Sequence, residues 1–330
     1  MMKGAKGKIL RFVISFVAIG LTVYFMRDKL HEAAAILRHE FLWGWFLLAI
    51  AGYFVALAIL AVRLQWVFRV QNIHLNFRET YHLGFVGLFY NLMLPSAVGG
   101  DVVKAFYAYK HSGKKIESAT SILLDRLLGF VAIIVMACMG LLSFSKDAES
   151  AYVDYAVYGA CGVLVFTILF FASRRFARLF KGLARLIPSE KWKLQLAEVY
   201  HAIYGYRHHR GPVLMAVLLS FVGQAFFISV NYWTALSIGA DIHYGTFFIL
   251  IPVSYIVSMA PSIGGLGVRE ATLIYLFSRY LPSERALAFT VLVDVMIYLF
   301  GIGSGIWYAF RGGLKAGNPE EMEMLQTLKK

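Results

Sequence analysis

Residues 92–101, LMLPSAVGGD, set a proline, two glycines and an acid in the middle of an apolar stretch, and residues 260–270, APSIGGLGVRE, do nearly the same again. Each residue type is costly inside a helix in lipid. Proline removes an N–H and clashes with the preceding turn, glycine adds backbone entropy, and a carboxylate loses its water. The pattern reads instead as a break: a short helix stops at Pro95 or Pro261, the chain turns at the glycines, and a second short helix starts there.

The surroundings make this break a membrane feature. Of 330 residues, 59% are hydrophobic and 15% charged, and the mean hydropathy is +0.66. That is too apolar for a soluble domain and predicts an all-α polytopic membrane protein, a single membrane domain over 1–330. A bilayer core of roughly 30 Å takes about 20 helical residues, and six runs qualify: 9–26, 41–62, 119–144, 151–172, 213–236 and 286–310. The first follows Lys3, Lys6 and Lys8, but it exceeds a signal core and no small-x-small site follows, so it is expected to stay as an anchor. The stretches 80–109 and 246–277 contain the breaks, and each is expected to enter the bilayer and turn back. Cys138 and Cys161 lie in apolar runs without metal-type spacing and read as small core residues, with neither a disulfide framework nor a zinc site.

Charge tests the turning back. With the N-terminus inside and both broken stretches re-entrant, the inner segments hold 22 of the 32 Lys and Arg and the outer segments hold six. This is a positive-inside bias, and it puts both termini in the cytoplasm. Trp43, Trp45 and Trp233 fall at outer ends, and Trp66 and Trp307 at inner ends.

The first hairpin then enters from the cytoplasm, after the out-to-in span 41–62 and before the in-to-out span 119–144. The second enters from outside, after 213–236 and before 286–310. Units 41–144 and 213–310 therefore share one order of elements in opposite orientations, an inverted-topology repeat of the kind found in alternating-access transporters. The predicted fold is six transmembrane helices plus two oppositely oriented re-entrant helical hairpins. Four of the seven prolines precede serine, but only Pro95 and Pro261 are followed within four residues by Gly-Gly.

Charge deep in the apolar segments belongs to the two units. Arg11 aside, which snorkels to a helix end, the cations are Lys104, Arg126 and Arg269, and the acids are Asp101, Asp125, Glu270 and Asp294. A charge at the bilayer centre costs about 3 kcal/mol, so such a set faces a polar cavity or pairs internally. The half-helices that start at the glycines point free N–H groups inward, which favours an anion. The expectation is a central pocket in which Lys104, Arg126 and Arg269 hold a phosphate. Asp101, Asp125, Glu270 and Asp294 would balance them, receive an amine or carry a coupling proton. The competing reading is purely structural: Asp101 caps its half-helix and pairs with Lys104, while Asp125 and Asp294 pair with arginines to hold the fold.

Residues 173–212 form a basic cytoplasmic segment with nine Lys and Arg. Over 173–187, Phe176, Leu179, Phe180 and Leu183 recur at helical spacing among arginines, which fits a helix lying on anionic inner-leaflet lipid. The pI of about 9.6 follows from the inner loops, so no nucleic-acid partner is invoked. His208 and His209 lack partners at ligand spacing, no G-x-x-x-x-G-K-[ST] stretch exists, and no nucleophile–base spacing is found. No catalytic residue, metal or cofactor is assigned. The leading class is a lipid transporter. The alternative is an integral-membrane enzyme or accessory subunit in lipid head-group or glycolipid synthesis, and a homo-oligomer or a lipid-synthesis partner is compatible with either.

The segments NLMLPSAVGGDVVKAF (91–106), LLDRLLG (123–129) and APSIGGLGVREA (260–271) resemble the transmembrane domain of the lysylphosphatidylglycerol synthase/flippase family, over nearly the whole chain. The resemblance implies a multi-pass protein of the plasma (inner) membrane that moves lipid between leaflets. It lays the family's first motif on Pro95, Gly99, Gly100, Asp101 and Lys104, its aspartate-arginine pair on Asp125 and Arg126, and its second motif on Pro261, Gly264, Gly265, Gly267, Arg269 and Glu270. Lys104 stands where arginine is the commoner residue, which weakens bidentate phosphate recognition there. Bifunctional members add a soluble aminoacyl-transferase domain after the membrane part, whereas 20 mostly polar residues follow Phe310. The expected cargo is therefore not a lysyl-lipid made by this chain, but an anionic or zwitterionic phospholipid or a polyprenyl-phosphate-linked lipid.

Overall fold

The computed structural model describes residues 30–93, 99–144, 162, 205–206, 209–258 and 267–310. Among them the chain is helical, without strands: α1 (Leu30–His39), α2 (Trp43–Val70), α3 (Phe77–Met93), α4 (Gly99–Ser112), α5 (Lys115–Phe144), α6 (Arg210–Leu236), α7 (Tyr244–Val257), α8 (Val268–Phe277) and α9 (Ser283–Phe310). Four of these, α2, α5, α6 and α9, are long and apolar enough to cross a membrane. By contrast α3, α4, α7 and α8 have 17, 14, 14 and 10 residues. They are about 15 to 25 Å long, short of the roughly 30 Å hydrocarbon core.

Three expectations change. The apolar run 41–62 assigns Arg63 to an inner loop by composition, but the helix continues to Val70, because RLQWVFRV contains neither glycine nor proline. Residues 27–40, read as an outer loop, contain α1, which packs along α9. Cys138, read as a core residue, is disulfide-bonded, a pairing that spacing along the chain cannot reveal because it depends on how elements pack. The chain's other cysteine, Cys161, lies outside the described residues, as do the run 9–26, the run 151–172 apart from Gly162, most of 173–212, and Pro95, Pro261, Gly264 and Gly265.

Matching devices close the C-termini of α2 and α6. α2 ends in a Schellman-type turn with Asn72 at φ 53, the N–H of Ile73 donating to the carbonyl of Phe68. α6 ends the same way with Gly239 at φ 64, the N–H of Ala240 donating to the carbonyl of Ala235. Each end is then clamped by a cation near the start of a later long helix. Lys114, just before α5, donates to the carbonyls of Gln71 and Asn72 at 3.2 and 3.1 Å. Arg285, in the first turn of α9, donates to those of Ile238 and Gly239 at 3.0 and 2.6 Å. α5 thus starts where α2 ends, and α9 where α6 ends. The pair α3–α4 leaves and rejoins the first end, and α7–α8 the second.

The same exchange relates the helix contacts. The central contact is α2 on α6, while α5 packs on α7 as α9 packs on α3. Between helices in lipid there is little hydrophobic drive, so close approach depends on small residues. Gly52 on α2 faces Trp233 and Val230 of α6, and Gly223 on α6 faces Leu60 and Ile59 of α2. Gly140 of α5 meets Phe248 and Ile249 of α7, and Gly305 of α9 meets the ring of Phe89 on α3. Where α7, α8 and α9 converge, Phe247, Phe277 and Phe289 are fully buried, with ring centroids 4.5 to 6.3 Å apart.

Candidate functional site

The charges singled out in the sequence sit on or beside the two short-helix pairs, and glycine is what brings those elements so close. A Cβ on Gly100 would overlap the carbonyl oxygen of Gly87, so α3 and α4 touch backbone to backbone. The N–H of Gly100 then donates to Asn91 Oδ1 at 2.8 Å. A Cβ on Gly87 would in turn overlap the stem of Lys104, which lies across it. Gly99 and Gly100 thus form the first turn of α4, and Asp101 follows them in the same turn, where a carboxylate complements the positive end of the helix.

Asp101 is shared by two cations. Lys104 Nζ reaches its Oδ1 at 3.5 Å from the next turn of α4, and Arg126 of α5 donates Nη1 to its Oδ2. The Arg126 guanidinium also lies over the Phe130 ring, 5.4 Å from its centroid. The neighbouring Asp125 turns to a residue that the sequence placed elsewhere. Arg63 of α2 holds it in a fork, Nε to Oδ1 at 2.7 Å and Nη2 to Oδ2 at 2.8 Å, with Nη1 3.4 Å from Ser220 Oγ of α6. This cluster holds three cations, Arg63, Lys104 and Arg126, against two carboxylates.

The second cluster has the opposite balance. Gly267 precedes α8 with φ 81, a conformation that side chains disfavour, and its N–H donates to Glu270 Oε2. Arg269 Nη2 donates to Glu270 Oε1 at 2.7 Å and to Asp294 Oδ1 of α9 at 2.6 Å. Its Nε is buried without a hydrogen-bond partner. One cation thus meets two carboxylates. The expectation grouped Arg269 with the phosphate-binding cations, but its guanidinium already carries two acids.

The clusters correspond in position and differ in sign. In each, an ion pair joins the second short helix to the following long helix across 25 residues, Asp101 to Arg126 and Arg269 to Asp294, with acid and base interchanged. Arg126 lies eleven residues after the start of α5 and Asp294 eleven after the start of α9, about 16 Å along each helix. Both side chains keep 22% of their surface open.

Two tyrosines stand between the clusters. Tyr255 of α7 is within electrostatic reach of Arg126, Asp101 and Arg63, and Tyr53 of α2 is within reach of Tyr255 and Arg269. Tyr53 is buried, with its ring stacked on Phe300 at 4.1 Å, whereas Tyr255 is 41% exposed. Neither tyrosine nor Arg63 was singled out from sequence. Arg63 has a signal there, since no helix breaker separates it from the apolar run before it, but the tyrosines are lost among 19 in the chain.

Comparison with known proteins places this architecture. The chain is 24% identical over 270 residues to a UPF0104 membrane protein of Pyrococcus horikoshii, covering 74% of this chain and 79% of that protein. It is 21% identical over 322 residues to a UPF0104 membrane protein of Methanocaldococcus jannaschii, covering 90% and 92%. The model of the lysylphosphatidylglycerol synthase TM region matches residues 8–305, a range that takes in both charged clusters. With that coverage, the chain is an integral membrane protein that belongs to the lysylphosphatidylglycerol synthase TM region family.

Proposed function

We propose that the chain moves a phosphate-bearing lipid, anionic, zwitterionic or polyprenyl-linked, between the leaflets of the membrane, with the head group passing between α3–α4 and α7–α8. In this reading six helices cross the bilayer, the two short pairs are re-entrant hairpins of opposite orientation, and units 41–144 and 213–310 form an inverted repeat. The paired helix ends, the exchanging contacts and the equal 25-residue ion pairs support it.

The observation that carries the proposal is the charge imbalance of two clusters built on long helices apolar enough to cross a membrane. Ion pairs that only hold a fold together gain nothing from surplus charge, which costs about 3 kcal/mol at the centre of a membrane. Here the first cluster has one cation too many and the second one carboxylate too many. The surplus cation, shared by Lys104 and Arg126, suits a phosphate. The surplus carboxylate, shared by Glu270 and Asp294, suits a coupling proton.

The geometry supplies a way to couple binding to movement. A phosphate arriving at Arg126 competes with Asp101 for the same guanidinium and releases α4 from α5. Protonation of Asp294 removes its charge from Arg269 and releases α8 from α9. The two cross-helix pairs thus act as latches, each opened by one of the transported species, while Arg63 keeps Asp125 out of the exchange.

Reconstitution into liposomes with a fluorescent phosphatidylglycerol tests this. The protein is expected to expose inner-leaflet probe to a membrane-impermeant quencher. Arg126→Ala is expected to slow that step at least tenfold (about 1.4 kcal/mol) while its elution profile and helicity are kept. Unchanged transport in Arg126→Ala would leave that residue a structural role. A protein that moves no lipid under any ion gradient but converts the head group would be an enzyme.

A further inference from the structure

Away from both clusters, a cleft of about 470 Å³ opens between the start of α3 and the end of α4. Its floor includes Leu83, Val86 and Tyr107, and Arg78, Lys110 and His111 stand among its walls. Glu79, the acid beside them, is engaged at the helix end, where its Oε2 accepts the N–H of Asn76 at 2.6 Å while its own N–H donates to Asn76 Oδ1 at 2.9 Å. An apolar floor under a cationic edge fits an amphiphile with an anionic head.

The cleft continues toward the first cluster. On α4, Lys104, Ala108 and His111 recur at helical spacing, so one face runs from the cleft to Lys104 over seven residues, about 10 Å. On α3, Arg78, His82 and Val86 recur every four residues, and the next residue, Gly87, is the one that Lys104 lies across. Val86 and Val103 are buried together, with Tyr90 and Tyr107 packed on them, so the floor of the cleft is the near wall of the Lys104 position.

We propose that this cleft is a loading site for the phosphate head of a lipid in the leaflet at that end, with Arg78 and Lys110 meeting the phosphate and the floor receiving the glycerol and first acyl carbons. The onward step, from the cleft to Lys104 and Arg126, rests on the transport reading; binding in the cleft does not.

The test uses the full chain in a non-ionic detergent, titrated with a soluble short-chain phosphatidylglycerol. Calorimetry measures the affinity, and tryptophan fluorescence locates the ligand, since Trp307 lies against His82 with ring centroids 4.5 Å apart. Saturable binding is expected, with a fluorescence change that disappears in Trp307→Phe. The double variant Arg78→Gln/Lys110→Gln, which alters only exposed side chains, is expected to bind about 25-fold more weakly, about fivefold for each cation removed. A diacylglycerol of equal chain length should not bind saturably, and inorganic phosphate should displace the lipid only at far higher concentration.

The proposal is overturned by no saturable binding, by wild-type affinity in the double variant, or by a diacylglycerol binding as tightly. Inorganic phosphate matching the lipid would make the free anion the ligand and also overturn it. If the cleft binds lipid but the reconstituted protein moves none, the transport reading fails and the loading site stands. If lipid crosses at an undiminished rate in the double variant and no binding is seen, the loading site alone fails.

Discussion

Replacing Arg63 by methionine keeps an unbranched apolar stem and removes the guanidinium, which isolates the role of its charge. In the folded protein that group makes two hydrogen bonds to Asp125, at 2.7 and 2.8 Å, and the two side chains are 6% and 14% exposed. Arg63→Met leaves a carboxylate enclosed among α2, α5 and α6 with no cation. Removing one partner of a buried pair costs about 3 to 5 kcal/mol, and the partial exposure of Asp125 places the expectation near 3 kcal/mol. Arg63→Met/Asp125→Leu removes both charges and is expected to recover most of that loss, because two enclosed ions repay their desolvation poorly. A double-mutant cycle should therefore give a coupling of at least about 3 kcal/mol, in contrast to the ~0.5 kcal/mol of an exposed pair. Equilibrium unfolding of the purified protein in detergent, followed by circular dichroism, measures all four corners. If Arg63→Met loses less than about 1 kcal/mol, or the double variant loses the sum of the two single losses, then Arg63 is a loop cation as composition implied, and the enclosed fork has no energetic weight.

Two further outcomes follow from the same geometry. Gly100→Ala places a methyl group against the carbonyl oxygen of Gly87, backbone that cannot swing aside, so it should cost about 1 to 3 kcal/mol of stability in the same unfolding assay, whereas Gly84→Ala, which meets open space, should cost nothing measurable. Asp294→Asn removes the surplus carboxylate but leaves the Arg269–Glu270 pair; in liposomes it should keep basal lipid movement and lose acceleration by a pH gradient, and an undiminished response to the gradient would take the coupling proton away from this cluster.

The sequence by itself determined that the chain is helical and apolar, that the stretches around Pro95 and Pro261 carry helix breakers, and which charges fall within apolar stretches. These are local consequences of composition, hydrophobic run length and helix breakers, and they do not depend on what packs against what. The short helices α3, α4, α7 and α8 fall where those breakers require. Run length also misled: Arg63 ends an apolar run in the sequence, but an arginine at the edge of a run extends a helix as readily as it closes one. Only the contact with Asp125, 62 residues away, decides that its charge is enclosed.

Tertiary structure alone decided the balance of charge. Seven ionisable residues spread along the chain look like a common pool, three cations and four anions. Folding divides them, with Arg63, into a cationic set on α2, α4 and α5 and an anionic set on α8 and α9. The disulfide at Cys138 and the tyrosines between the clusters are of the same kind. The physical reason is distance: in a low-dielectric interior a charge is governed by the few groups within some 4 Å of it, and those neighbours come from helices far apart in sequence, whose approach is set by glycines where backbones touch.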